Sequence, residues 1–206
     1  ESELNAARIF NADHCFFVTN GTSTSNKVVW HANVAADDIV VVDRNCHKSI
    51  LHAIIMTGAI PLYMSPTRNE LGIIGPIPLE EFTPERIARK IEANPFAREA
   101  ANKKTRILTI TQSTYDGVLY NVETLKNMLD GKIDTLHFDE AWLPHATFHE
   151  FYKDMHAIGK DRPRAKESMI FSTQSTHKLL AGLSQASQVL VRESEKVKLD
   201  QDAFNE

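Results

Sequence analysis

Short runs of β-branched and other apolar residues recur along this chain, and they restrict its fold more than any other feature. Ile39-Val40-Val41-Val42-Asp43 is the strongest of them, because β-branched side chains favour an extended, packed element. Residues 15–19, 60–64, 105–111, 133–139, 168–171 and 186–191 repeat the pattern, although Pro61 weakens a central position for the third strand. Helical patterns lie between them, at 1–10, 28–33, 50–56, from Thr83-Pro84 onward, at 122–129 and again from Ser194 to Leu199. Strands alternating with helices predict an α/β fold with a mostly parallel sheet flanked by helices.

With 206 residues and 42% hydrophobic content, the chain is long enough for one sizeable core and too short for a second complete catalytic domain. A formal net charge of -4 gives no general attraction to nucleic acid. No apolar run approaches a membrane span, and no secretory leader stands at the N-terminus. Cys15 and Cys46 form no zinc or redox pattern and fit a reducing compartment, so a cytoplasmic location is expected. Residues 1–10 read as part of a helix rather than an initiating terminus, and residues 200–206 stop without a clear domain ending. Both ends fit a piece of a longer, multidomain chain.

In an open parallel sheet, binding groups gather at the carboxyl ends of strands. Asn20-Gly21-Thr22-Ser23 follows the first strand, where a flexible glycine and hydroxyl residues before a helix make either an anion cup or an ordinary cap. His47 follows the second strand and is open to two readings, stacking on a flat ligand or a structural role. The loop Gln112–Gly117 lies at the same edge, and the glycine- and proline-rich segment 65–81 is a candidate rim. Asp139 ends the fifth strand. It can pair with a protonated pyridine nitrogen, or His137, Asp139, His145 and His149 can assemble a metal site. Ser175-Thr176-His177-Lys178 follows the sixth strand. A partly desolvated lysine there is a candidate covalent anchor for an aldehyde cofactor, against the plainer reading of a basic residue near a helix start.

Taken in order, Asn20–Lys27, Asp43–Ser49, Ser113–Gly117, Phe138–Trp142 and Ser175–Lys178 resemble the pyridoxal-phosphate-binding major domain of the bacterial ornithine/lysine/arginine decarboxylase family. That is a branch of the aspartate-aminotransferase fold (fold type I), and the resemblance covers nearly the whole chain. It implies Lys178 as the amine that anchors the cofactor aldehyde, Asp139 as the partner of the pyridine nitrogen and His47 as the stacking ring. It also implies Thr22 and Ser23 in the phosphate cup, Ser175 and His177 on its far side, and Trp142 in the pocket. The implied reaction is decarboxylation of a basic L-amino acid, with lysine ahead of arginine and ornithine third, in a homodimer or larger homo-oligomer. Two rival readings remain: a metal-dependent hydrolase built on the His137–His149 cluster, and a noncatalytic cofactor-binding or assembly module.

Overall fold

The computed structural model describes residues 1–100, 104–160 and 162–205. The apolar runs form strands β1 (His14–Val18), β2 (Ile39–Asp43), β3 (Ile60–Met64), β4 (Thr105–Thr111), β5 (Ile133–Asp139), β6 (Met169–Gln174) and β7 (Ser187–Arg192). Around them lie helices α1 (Ser2–Phe10), α2 (Thr22–Asn33), α3 (Lys48–Thr57), α4 (Pro84–Ala93), α5 (Pro95–Glu99), α6 (Val122–Leu129), α7 (Thr176–Leu179) and α8 (Gln201–Asn205). All seven strands join one sheet in the order β1-β7-β6-β5-β4-β2-β3. From β3 to β6 every pairing is parallel. Strand β7 runs against both β6 and β1, so β1 points the same way as the parallel set. The mostly parallel sheet expected from the sequence is the architecture found.

Alternation along the strands sends side chains into two core layers. Val41, Leu108, Ile110, Leu136 and Phe138 meet Ile87 of α4 and Leu125 and Leu129 of α6 on one face. Val40, Val42, Ile107 and Phe171 meet Val29 and Trp30 of α2 and Ile50 and Ala53 of α3 on the other. Burial on both faces is what makes β2 read as an unbroken apolar run from Ile39 to Val42. Each large side chain so enclosed, such as Phe138 or Phe171, contributes roughly 2–3 kcal/mol relative to leaving it in water. Pro61 sits on β3, an edge strand paired only with β2, where a missing amide is tolerated.

Three expectations need correction, and one helix was not anticipated. Helix α2 begins at Thr22 instead of Val28, because its polar first turns are buried and paired: Ser25 Oγ meets Ser187 Oγ at 2.9 Å. The helix expected from Ser194 is absent, since Ser194 Oγ accepts from Val197 N and the Glu193 carboxylate from Leu199 N; α8 starts only at Gln201. The sequence reading had no counterpart of α5, which Asn94 caps by accepting from Phe96 N and Ala97 N. Segment 65–81 adds no residue to the cleft at the strand ends, and its Ile77 joins the core layer of α4 and α6, together with Phe82 of the 3-10 turn Leu79–Phe82. Among the described residues, no helix is long and apolar enough to cross a membrane.

Helix α6 starts where Asn121 Oδ1 accepts from Thr124 N at 2.8 Å. Asn121→Ala removes that cap, and urea unfolding should show a loss of about 1 kcal/mol with an unchanged denaturant slope.

Candidate active site

The carboxyl ends of β1, β2, β4, β5 and β6 open onto one cleft of about 580 Å³. All eight residues singled out in the sequence line it: Thr22, Ser23, His47, Asp139, Trp142, Ser175, His177 and Lys178. The loop after β4 contributes Ser113, Thr114 and Tyr115. Residues from five strand ends thus meet at one edge, as a parallel sheet dictates.

One wall is the start of α2. Gly21 adopts φ 75°, a left-handed conformation suited to glycine, and no side chain caps the helix. Its first turn carries no acidic residue, so the positive end of a twelve-residue helix faces the cleft unopposed. Thr22 Oγ1 lies 2.6 Å from Ser175 Oγ, joining the start of α2 to the start of α7. The Gly21 amide donates to the Gln185 carbonyl at 2.6 Å, drawing the loop after α7 against the same wall. His177 Nδ1 donates to the Ala186 carbonyl at 2.7 Å, leaving Nε2 as the ring's remaining polar atom. Helix amides and hydroxyls in this arrangement have the chemistry of a phosphate site.

The floor is Asp139, which is 4% exposed. Its Oδ2 accepts from Asn26 Nδ2 at 2.8 Å and its Oδ1 from Ala141 N at 3.2 Å. Burial raises its pKa, while those two donors and the positive charges of His47 and Lys178 oppose the rise. His47 caps α3, and its Nδ1 accepts from Ser49 N at 3.2 Å. Desolvation lowers its pKa against the pull of Asp139. Lys178 is half-buried on α7, and burial lowers its pKa, again opposed by Asp139. Its Nζ stands 4.4 Å from the centroid of the Trp142 ring, and Tyr115 packs edge-on against that indole at 5.4 Å. An amine shifted toward its free form therefore faces a sealed carboxylate, with an aromatic wall beside it.

The metal reading of the histidine cluster is overturned by where those side chains go. His137 is fully buried, with Nδ1 on Thr109 Oγ1 at 3.1 Å and Nε2 on Thr173 Oγ1 at 3.0 Å. His145 packs edge-on against Tyr152, and His149 Nδ1 accepts from Phe151 N; the two flank a single 3-10 turn, Ala146–Phe148. Among the described residues, no three His, Cys, Asp or Glu side chains gather as a metal site. Glu140 points to the other side of β5, where Ala157 N donates to it at 2.6 Å and Gln174 Nε2 at 3.0 Å. It does not line the cleft. Asn26 and Ser49, by contrast, are buried contributors that the sequence reading passed over. Both lie inside passages that carry the family resemblance, Asn20–Lys27 and Asp43–Ser49, which gave neither of them a role.

The sequence model of the family described as Orn/Lys/Arg decarboxylase, major domain, matches residues 1–206. The chain belongs to this family. Lysine decarboxylase LdcA of Pseudomonas aeruginosa is 56% identical over 206 residues, covering 100% of this chain and 27% of that protein. The biodegradative arginine decarboxylase of Escherichia coli K12 is 46% identical over 193 residues, 94% of this chain and 26% of that protein. The chain thus spans about a quarter of the length of these relatives. The solved structure of lysine decarboxylase A from Pseudomonas aeruginosa superposes with a TM-score of 0.92 over 99% of this chain and 27% of its own. Alanine aminotransferase from Pyrococcus furiosus, at 11% identity, gives a TM-score of 0.59 over 99% of this chain and 48% of its own, a likeness of fold alone. The family and its fold imply pyridoxal phosphate as cofactor. The groups in the cleft fit it: a helix start for the phosphate, a buried carboxylate for a ring cation, an imidazole for the ring face and an amine for the aldehyde.

Full burial pulls the His137 pKa from 6.5 to about 3. Between those values the unfolded ring binds a proton that the folded ring refuses, so its contribution to stability is whole above pH 6.5 and lost as pH falls toward 3. Unfolding free energies measured across that window should fall less steeply with acid for His137→Asn than for the parent chain.

Proposed function

We propose that this domain serves the pyridoxal-phosphate-dependent decarboxylation of a basic L-amino acid, lysine ahead of arginine and ornithine, giving the amine and carbon dioxide. The observation that carries the proposal is the convergence of Lys178, Asp139, His47 and the start of α2 on one cleft. The order of substrates rests on the relatives, since the lysine decarboxylase is 56% identical and the arginine decarboxylase 46%. The natural enzyme is proposed to be a homodimer or larger homo-oligomer, in keeping with the exposed Tyr115 on the cleft wall and the exposed Leu179 and Leu183 in the segment after Lys178.

In this reading Thr22, Ser23 and Ser175 hold the phosphate with the first amides of α2, and His177 closes the far side of the cup from α7. Lys178 provides the amine that attaches the aldehyde, and partial burial increases the fraction that is unprotonated and nucleophilic. Asp139 keeps a proton on the ring nitrogen, since a cation there relieves the cost of sealing its carboxylate. His47 covers the ring and fixes its plane, while Trp142 and Tyr115 limit water on the side of Lys178. The chemistry the cofactor supplies when bound is a conjugated sink for the electron pair left as carbon dioxide departs. Substrate would be oriented by the same walls, and a Lys178 amine not engaged with the aldehyde would be free to hold or return a proton.

Borohydride treatment of the natural chain with pyridoxal phosphate, followed by peptide mapping, should place the reduced adduct on Lys178, and Lys178→Ala should carry none. A label fixed at a different lysine would remove that assignment. Asp139→Asn should lower kcat for carbon dioxide release by about a hundredfold or more, the scale of losing one oriented electrostatic group in a dry site. A folded Asp139→Asn variant with near-parental turnover would contradict the role.

A further inference from the structure

We propose that Asn26 is a positioning residue that holds Asp139 and His47 in a common register, a role that rests on reading those two groups as the ones flanking the cofactor. Asn26 is fully buried on α2, and each polar position of its amide is used. Nδ2 donates to Asp139 Oδ2 at 2.8 Å and to Ser49 Oγ at 2.9 Å, while Oδ1 accepts from Thr173 Oγ1 at 2.6 Å. An ionised carboxylate only accepts, so the amide must turn its nitrogen to Asp139 and its oxygen to Thr173.

The rest of the network follows from counting protons. Ser49 accepts from Asn26 and has its own proton to give to His47 Nδ1, 2.9 Å away. This places the His47 proton on Nε2. Thr173 spends its proton on Asn26 and therefore accepts from His137 Nε2, so His137 Nδ1 accepts from Thr109, whose oxygen accepts the Trp30 indole N–H at 3.0 Å. An indole can only donate and a carboxylate can only accept. The two ends permit one sense, and the line runs without a break from Trp30 through Thr109, His137, Thr173 and Asn26 to Asp139. Trp30 lies one helical turn after Asn26, so α2 carries both the first donor and the last.

Asn26 therefore stands where a single amide feeds both cofactor-facing groups. Its donation to Oδ2 lowers the basicity of Asp139 and leaves the shared proton on the ring nitrogen of the cofactor. Without it, that proton moves toward the carboxylate.

The test uses the natural chain loaded with pyridoxal phosphate labelled with nitrogen-15 in its ring, together with nitrogen-15 histidine. In the parent protein the ring nitrogen should give a protonated shift and His47 an Nε2–H pattern. Asn26→Leu should move both signals, the ring nitrogen toward its neutral shift, and slow turnover about ten- to a hundredfold, the equivalent of one hydrogen bond to a charged group. Ser49→Ala should move His47 alone. Should Asn26→Leu fail to fold, Thr173→Val, which frees the amide to rotate, should move both signals in the same direction by less. Folded, loaded Asn26 or Thr173 variants with both signals at their parental positions overturn the proposal, provided Asp139→Ala moves the ring nitrogen. If Asp139→Ala leaves the ring nitrogen unmoved, the reading of Asp139 itself is overturned, and the role of Asn26 with it.

Discussion

A carboxylate almost cut off from water persists in a protein only where donors reach it, and the sheet face beneath α2 is arranged around that need at Asp139. Alternation alone would make this face apolar, as Val40, Val42, Ile107 and Phe171 are. Along a single line it carries Thr109, His137 and Thr173 instead, each buried and each hydrogen-bonded. An unmet buried polar group costs about 1–3 kcal/mol, so a line of this kind is tolerable only when complete. The opposite face of β5 repeats the solution on a smaller scale, with Ser172, Gln174 and the Ala157 amide around Glu140. Two adjacent acids are thereby sealed on opposite sides of one strand, and only Asp139 reaches the cleft.

Within the cleft, burial pushes Asp139, His47 and Lys178 toward their neutral forms, and the attraction between Asp139 and each of the other two pushes back. In each of the three, burial is the largest cause of the shift. Each gains from a ligand that brings charge of both signs, an anion at the start of α2 and a cation over Asp139. The aromatic pair of Trp142 and Tyr115 adds a flat wall beside Lys178.

The strands were legible because β-branched and other apolar residues cluster in short runs between helical patterns, so Ile39–Asp43, Thr105–Thr111 and Ile133–Asp139 have the bounds expected of them. The cleft residues were legible because lysine, histidine and aspartate at strand ends are uncommon in packing roles and were matched by a family resemblance. What the sequence concealed was polar structure in the interior. Asn26, Ser49 and Thr173 are residue types that usually form loops and caps, and nothing local distinguishes a serine facing water from one bonded across the core. The same ambiguity shortened α2 on paper, because Thr22–Asn26 read as a loop until their partners on β6 and β7 were in place. His137 failed as a metal ligand for a related reason, since strand register buried it between two threonines.

The reversed strand β7 ties the first part of the chain to the last. Through it β1 enters the sheet, with Cys15 opposite Leu190 and Val18 opposite Ser187, and Gly21 reaches Gln185. Asp13 is likewise clamped by Arg164 and the Glu193 amide. During synthesis, then, the anion-binding wall cannot be finished when its own glycine and hydroxyls emerge. It waits for more than a hundred and fifty further residues, so this wall is a product of the sheet's closure rather than a nucleus for it.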